Sequence, residues 1–212
     1  MSINFNSLDE ITKAQAEYPH VELLIVTKTR TIETIKKLIQ LGYKNFGENR
    51  VQETTHKFTQ DIIIENNLTL HLIGPLQTNK VKDALKTFHV IQSVDRIKLV
   101  DAISKELNKD ENIMTKDFFI QINIGKEEQK SGVDIINIES FYEYCLKSRL
   151  NIIGLMCIPP DVYDPSEYFD QMQRIKNKLE KKLKLSMGMS NDYQIAMRYG
   201  SDLIRVGSKI FD

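Results

Sequence analysis

Residues 23–42, LLIVTKTRTIETIKKLIQLG, hold one complete strand-and-helix unit. LLIV (23–26) is a short apolar run ending in β-branched residues, the composition of a strand covered on both faces. A polar turn follows, and then Ile32, Ile35, Leu38 and Ile39 recur with the spacing of one helical face. Thr31 can cap the start of that helix, and Gly42 stands where a left-handed residue ends one. Further along the chain, comparable runs occur at NF (45–46), LHLI (70–73), HVIQSV (89–94), FFIQINI (118–124), IIGLMCI (152–158), LSM (185–187) and LIRV (203–206). The first and last runs begin 180 residues apart over seven intervals, so the mean unit is about 26 residues, the length that a strand plus a crossover helix needs.

Helical spacing fills the gaps. Val81, Ala84, Leu85 and Phe88 share a face, as do Ile138, Phe141, Tyr142 and Cys145, and Tyr168, Met172, Ile175 and Leu179. Weaker patterns join Val51 to Phe58 and run from Ile97 to Leu107, and NKLEKKLK (177–184) reads as a solvated helix surface. Eight strands with helical crossovers close most economically into a (β/α)8 TIM barrel spanning 1–212 as a single domain. The competing doubly wound open sheet lacks the G-x-G-x-x-G and G-x-x-x-x-G-K-[ST] loops by which such sheets commonly cradle nucleotides.

Composition narrows the function. The chain has 212 residues, 41% of them apolar and 27% charged, and its 29 Lys and Arg balance 29 Asp and Glu. It can bury a core, and no global basic field favours nucleic acid or an anionic membrane. The N-terminus MSINFNSLDE has no basic region followed by an apolar stretch, and no run of 18 apolar residues occurs. Cys145 and Cys157 form no C-x-x-C pair, and none of the four histidines stands at metal-ligand spacing. These features suggest a cytoplasmic protein without a metal, with His71 and His89 as structural histidines.

In a barrel the chemistry lies just past the carboxyl ends of the strands. Lys28 follows the first strand, so it is expected to rise into a partly desolvated mouth where its amine can condense with an aldehyde. LSMGMSND (185–192) leaves the seventh strand through Gly188 into a helix that Ser190 or Asn191 could cap. LIRVGSKIF (203–211) leaves the eighth through Gly207 and Ser208 into an expected short terminal helix. Glycine lets the backbone approach a ligand, serine donates a hydroxyl, and helix N-termini favour anions, as a phosphate site on the last two loops requires. Together with Lys28 the two loops suggest an aldehyde-bearing phosphate. Glu48 reads equally as a group that orients Asn49 or Lys28 and as a rim carboxylate. Lys130 reads as a second amine or an exposed loop residue.

The chain resembles the YggS family of pyridoxal-phosphate-binding homeostasis proteins, which look like the barrel domain of alanine racemase without its second domain. The resemblance runs through LLIVTKT (23–29), FGENRVQE (46–53), HLIGPLQTNK (71–80), INIGKEEQKSG (122–132), GLMCIPP (154–160), SMGMSND (186–192) and IRVGSKIF (204–211). It implies pyridoxal 5′-phosphate as the cofactor, Lys28 as the Schiff-base lysine, Asn49 near the cofactor and Arg205 facing the pyridine nitrogen. Ser186, Gly188, Ser190, Gly207 and Ser208 would form the phosphate cup. Departures are a shorter leading segment, which suggests an abbreviated first helix, Lys209 where a small residue is usual, and Asp212 where a glycine is usual. A guanidinium keeps its proton, so Arg205 would leave the ring nitrogen unprotonated and weaken it as an electron sink. Alanine racemase takes its second acid/base from a domain not seen after the eighth strand here, and Tyr193 and Tyr199 read as helix-face residues. The expected function is a monomeric carrier in vitamin B6 homeostasis, with pyridoxal-phosphate-dependent apo-enzymes as candidate partners. The alternatives are a weak racemase-like enzyme and an interaction module with no cofactor.

Overall fold

The computed structural model describes residues 2–109 and 112–211. Its strands are β1 (Glu22–Val26), β2 (Asn45–Glu48), β3 (Thr69–Leu72), β4 (Val90–Val94), β5 (Asp117–Ile122), β6 (Ile152–Cys157), β7 (Lys184–Ser186) and β8 (Leu203–Val206). They pair in parallel in chain order, and β8 returns to β1 to close the barrel. Closure sets Leu24 opposite Arg205 and Ile25 opposite Val206, while Val26 faces Gly47 of β2. The expected (β/α)8 barrel is therefore the fold.

The outer layer comprises α1 (Phe5–Glu17), α2 (Ile32–Gln40), α3 (Val51–Lys57), α4 (Gln60–Glu65), α5 (Val81–Thr87), α6 (Ile97–Leu107), α7 (Ile138–Lys147), α8 (Ser166–Leu179) and α9 (Tyr193–Arg198). In α2 the Thr31 side chain accepts from Thr34 N–H, and Gly42 takes φ +92° where its N–H returns to the Ile39 carbonyl. Side chains alternate across each strand. Ile25, Phe46, Leu70, Leu72, Ile91, Ile120, Leu155, Cys157, Leu185 and Val206 belong to the core cluster shared with the helices. The intervening residues line the barrel interior, where Gly154 makes room for Phe119: a Cβ there would lie 2.3 Å from the ring.

Several local expectations change. Residues 207–210 form a turn, closed by Ile210 N–H on the Gly207 carbonyl, instead of a terminal helix. Phe211 pairs antiparallel with Ile3, and Asn4 N–H takes the Ile210 carbonyl, so the leading segment satisfies backbone groups that a helix would otherwise pair. The first helix is a full 13 residues, capped by Asn4, whose side chain accepts from Ser7 N–H. Neither Ser190 nor Asn191 caps α9; the residue before it is Asp192, which accepts Met189 N–H, and Ser190 turns elsewhere. The segment Gln60–Glu65 is helical although its three successive isoleucines fit neither period; Ile63 is buried and Ile64 exposed. Asp212 lies outside the described residues.

A polar chain crosses the barrel interior. Arg205 donates from Nη1 to Ser186 Oγ (2.8 Å), Ser186 donates to Gln92 Oε1 (2.6 Å), and Gln92 Nε2 stands 2.9 Å from His71 Nδ1. A guanidinium can only donate, so the hydroxyl proton must go to Gln92 Oε1 and the amide must donate to His71. His71 is thereby fixed as the neutral tautomer carrying its proton on Nε2. Burial pulls its pKa from the ordinary 6.5 to about 3.

Between pH 6.5 and about 3 the unfolded chain protonates this imidazole and the folded one does not, so stability falls as pH falls through that window. One proton corresponds to a slope of at most about 1.4 kcal/mol per pH unit. Urea midpoints measured from pH 7 to pH 4 should therefore drop less steeply in His71→Gln than in the unaltered protein. Equal slopes would show that His71 does not refuse the proton.

Candidate binding site at the barrel mouth

Strand alternation sets the facing of the residues up to the end of β1, Ile25 outward and Val26 inward. Lys28 and Thr29 then form a turn at the rim, closed by Arg30 N–H on the Thr27 carbonyl (3.0 Å). Thr27 is fully buried behind the sheet, where its hydroxyl donates to Glu48 Oε1 (2.7 Å) and its N–H to the Gly47 carbonyl (3.0 Å). Lys28 itself is exposed, and among the described residues its amine makes no hydrogen bond or ion pair. The expected partial desolvation is thus absent, because the first strand ends at the rim. Thr29, the next residue, holds φ +62°, a left-handed conformation rare for a β-branched residue. Its N–H donates to Glu53 Oε1 (2.6 Å).

Lys57, the last residue of α3, ties this region together. Its Nζ lies 2.9 Å from the Thr27 carbonyl, 2.6 Å from Glu48 Oε1 and 2.9 Å from Glu53 Oε1. Glu48 is wholly buried; burial raises its pKa, while bonds from Lys57 and Thr27 oppose that shift. Sequence reading singles out Glu48 but misses Glu53 and Lys57. Their signal is the one-turn spacing of opposite charges on a helix that buries Val51 and Thr54. Beside them, Asn49 follows β2 half-buried, and its side chain makes no hydrogen bond among the described residues. Its backbone is pinned by close approach of Gly74, where a Cβ would sit 2.3 Å from the Asn49 carbonyl oxygen.

The loops after β7 and β8 meet on Ser190. Its Oγ lies 2.9 Å from Ser208 Oγ and accepts longer bonds from Gly207 N–H (3.4 Å) and Lys209 N–H (3.3 Å). Gly188 turns the preceding loop at φ +95°, and its carbonyl accepts Arg205 N–H (2.9 Å). Gly207 abuts β1, since a Cβ there would lie 3.0 Å from Val26 Cβ, two residues before Lys28. The structure thus brings Ser190, Gly207 and Ser208 into one cradle against the end of β1, two residues before Lys28, with Gly188 turning the loop that carries Ser190. Ser186 stands apart from it, buried beneath as a link between Arg205 and Gln92.

Lys209 does not crowd the cradle. Its Nζ reaches Glu10 of α1 (3.0 Å) and passes over the Tyr193 ring. Tyr193 donates its hydroxyl to the same carboxylate (3.0 Å), and burial, aided by Glu10, pushes its pKa to about 12. That phenol is committed to α1 and poorly suited as a base. Lys130 donates to the Pro159 carbonyl and pairs with Glu127, tying the loops after β5 and β6.

Arg205 lies 3% exposed beneath the mouth, with Nη2 on the Cys157 carbonyl (2.7 Å) and no ion pair to a carboxylate among the described residues. Burial lowers its pKa, and the nearby Asp192 charge acts against that shift. Nη1 and Nη2 are partly engaged by neutral acceptors, and a guanidinium has five N–H donors in all. The mouth therefore offers an exposed amine, a cradle of backbone and hydroxyl donors, and a fixed cation below them. No group of three or more His, Cys, Asp or Glu residues among the described ones could hold a metal ion.

The family model described as "Alanine racemase, N-terminal domain" matches residues 4–211. The pyridoxal phosphate homeostasis protein of Aquifex aeolicus is 36% identical over 199 residues, covering 90% of this chain and 86% of that protein. PipY of Synechococcus elongatus PCC7942, solved with PLP bound, has TM-score 0.77 at 29% identity, covering 95% of this chain and all of that one. Alanine racemase of Acinetobacter baumannii has TM-score 0.74 at 14% identity, covering 99% of this chain and 62% of that one, a likeness of fold alone. The chain belongs to the alanine racemase N-terminal domain family, among the pyridoxal phosphate homeostasis proteins.

Proposed function

We propose that this protein binds pyridoxal 5′-phosphate at the barrel mouth and holds it in exchangeable form, serving intracellular vitamin B6 homeostasis without turning over a substrate. The observation that carries this reading is the exposed, unbonded Lys28 amine set beside a donor cradle that Gly207 joins to β1. Relatives named for pyridoxal phosphate homeostasis and the PLP-bound PipY structure support the choice of ligand.

The residues present suit that ligand. The N–H groups of Gly207 and Lys209 and the Ser208 hydroxyl gather on the single oxygen of Ser190, the two N–H groups at long distances, and a phosphate would offer them better acceptors. When bound, pyridoxal 5′-phosphate supplies an aldehyde that condenses reversibly with a primary amine. Lys28 Nζ provides that amine, forming the C=N bond while the aldehyde oxygen leaves as water with both amine protons. Asn49 stands at the same rim with an amide unbonded among the described residues. Arg205 would present a donor to the ring nitrogen and keep its own proton, so that nitrogen stays unprotonated and the ring is a poor sink for substrate electrons. Ser186 sets the guanidinium's angle from below. Tyr193, bonded to Glu10, stands away from any role as an opposing base.

The same reading takes 1–212 as one binding domain that acts as a cytoplasmic monomer and delivers its ligand to apo-enzymes. An exposed amine suits handover, and among the described residues no helix is long and apolar enough to cross a membrane.

Borohydride reduction of ligand-loaded protein should fix an adduct on Lys28, and Lys28→Ala should abolish it together with the visible absorbance. An adduct mapping to another lysine would assign the amine wrongly. In Arg205→Glu a carboxylate would favour protonation of the ring nitrogen and shift the spectrum; an unchanged spectrum would remove Arg205 from the ring. Amino-acid α-hydrogen exchange in deuterated water should be negligible. Lys28-dependent exchange at roughly 1 per second or faster, an enzyme-like rate, would replace the carrier with a racemase-like enzyme.

A further inference from the structure

Two peptide planes flank Lys28, and both are held from behind the sheet. The Thr27 carbonyl, in the plane before Lys28, accepts from Lys57 Nζ at 2.9 Å and also from Arg30 N–H at 3.0 Å. The Thr29 N–H, in the plane after it, donates to Glu53 Oε1 at 2.6 Å. Because each peptide unit is rigid, fixing the two planes fixes φ and ψ of the residue between them. Lys57, which holds the first plane directly, also bonds Glu53, which holds the second, and Glu48, which takes the Thr27 hydroxyl.

The energetics of this arrangement argue against an incidental surface cluster. Lys57 and Glu48 are 11% and 0% exposed, the most deeply buried ion pair among the described residues. Desolvating such a pair is unfavourable, and Glu48 Oε2 is buried with no hydrogen-bond partner. Thr29 adds the strain of its left-handed conformation. These unfavourable terms converge on the turn bearing Lys28, whose amine stands at the end of a flexible side chain and depends on its backbone for its aim.

We infer that Lys57, acting on the Thr27 carbonyl directly and on Thr29 through Glu53, is a positioning residue that orients the Lys28 backbone for covalent capture of the aldehyde, and that it does not contact the ligand. This inference rests on the proposed role of Lys28. It separates capture from anchoring: disturbing the clamp should weaken the bond through the aldehyde and leave the phosphate cradle on β7 and β8 unaffected.

The test uses the full chain and two ligands, pyridoxal 5′-phosphate and pyridoxine 5′-phosphate, which carries a hydroxymethyl group in place of the aldehyde. Lys57→Met should lower the equilibrium constant for Lys28-linked absorbance roughly tenfold or more, the scale on which misplaced reacting groups are felt. Binding of pyridoxine 5′-phosphate should stay within about twofold, and Lys57→Arg, which restores a cationic donor, should recover most of the loss. Glu53→Ala frees only the second plane and should show a smaller loss in the same direction; if Lys57→Met does not fold, this variant decides. Equal weakening of both ligands, or no change in either, overturns the inference. A missing Lys28 adduct in the unaltered protein removes the proposed function and this inference with it. A normal adduct there with unaffected variants removes only the clamp.

Discussion

Closure of β8 onto β1 is the constraint from which the rest of the molecule follows. With Leu24 opposite Arg205 and Ile25 opposite Val206, the ends of the first and last strands must lie side by side. That adjacency puts Gly207 against Val26, and hence a donor cradle beside Lys28, although the two residues stand near opposite ends of the chain. Closure also sets inward and outward facing for every strand, because side chains alternate and a closed barrel has no edge. A one-residue slip would send Arg205 outward among the helices and Ile204 inward.

The junction between β7 and β8 is the thinnest part of that closed sheet, with Ser186 opposite Leu203 as its one registered pair. Other groups reinforce the short ladder. Ser201 donates its hydroxyl to the Met187 carbonyl, Leu185 N–H donates to the Asp202 carboxylate, and Arg205 N–H to the Gly188 carbonyl. Backbone groups that a longer strand would pair are here held by side chains and loops, which leaves the ends of both loops free to form the cradle.

Two charged devices lie on opposite sides of the sheet. Inside, Arg205 is satisfied by Ser186 and the Cys157 carbonyl, and its polarity passes through Ser186 and Gln92 to a neutral His71. Outside, Lys57 gathers Glu48, Glu53 and the Thr27 carbonyl behind the turn that carries Lys28. Each is unfavourable to bury, and both serve the carboxyl end of the barrel, the face on which this fold places its chemistry. Elsewhere in the interior Val90, Phe119 and Met156 pack together as an apolar plug, with the buried Gln121 following Phe119 on the same face of β5.

Strand count, helical crossovers and hence the barrel are legible in the sequence, because short β-branched runs and 3.6-residue periodicity are local signals of burial. The same signals place Lys28, Gly188, Ser190, Gly207 and Ser208 at strand ends. They do not reveal α4, whose isoleucine run has no period, or the turn at 207–210, whose flanking residues find backbone partners in Ile3 and Asn4 at the other end of the chain. Nor do they separate Ser186 from the cradle, since only the inward face of β7 brings that hydroxyl under Arg205. The Lys57 clamp is equally hidden. Charges on a helix look solvated in one dimension, and only the packing of α3 against the ends of β1 and β2 buries them around the Thr27 and Thr29 backbone.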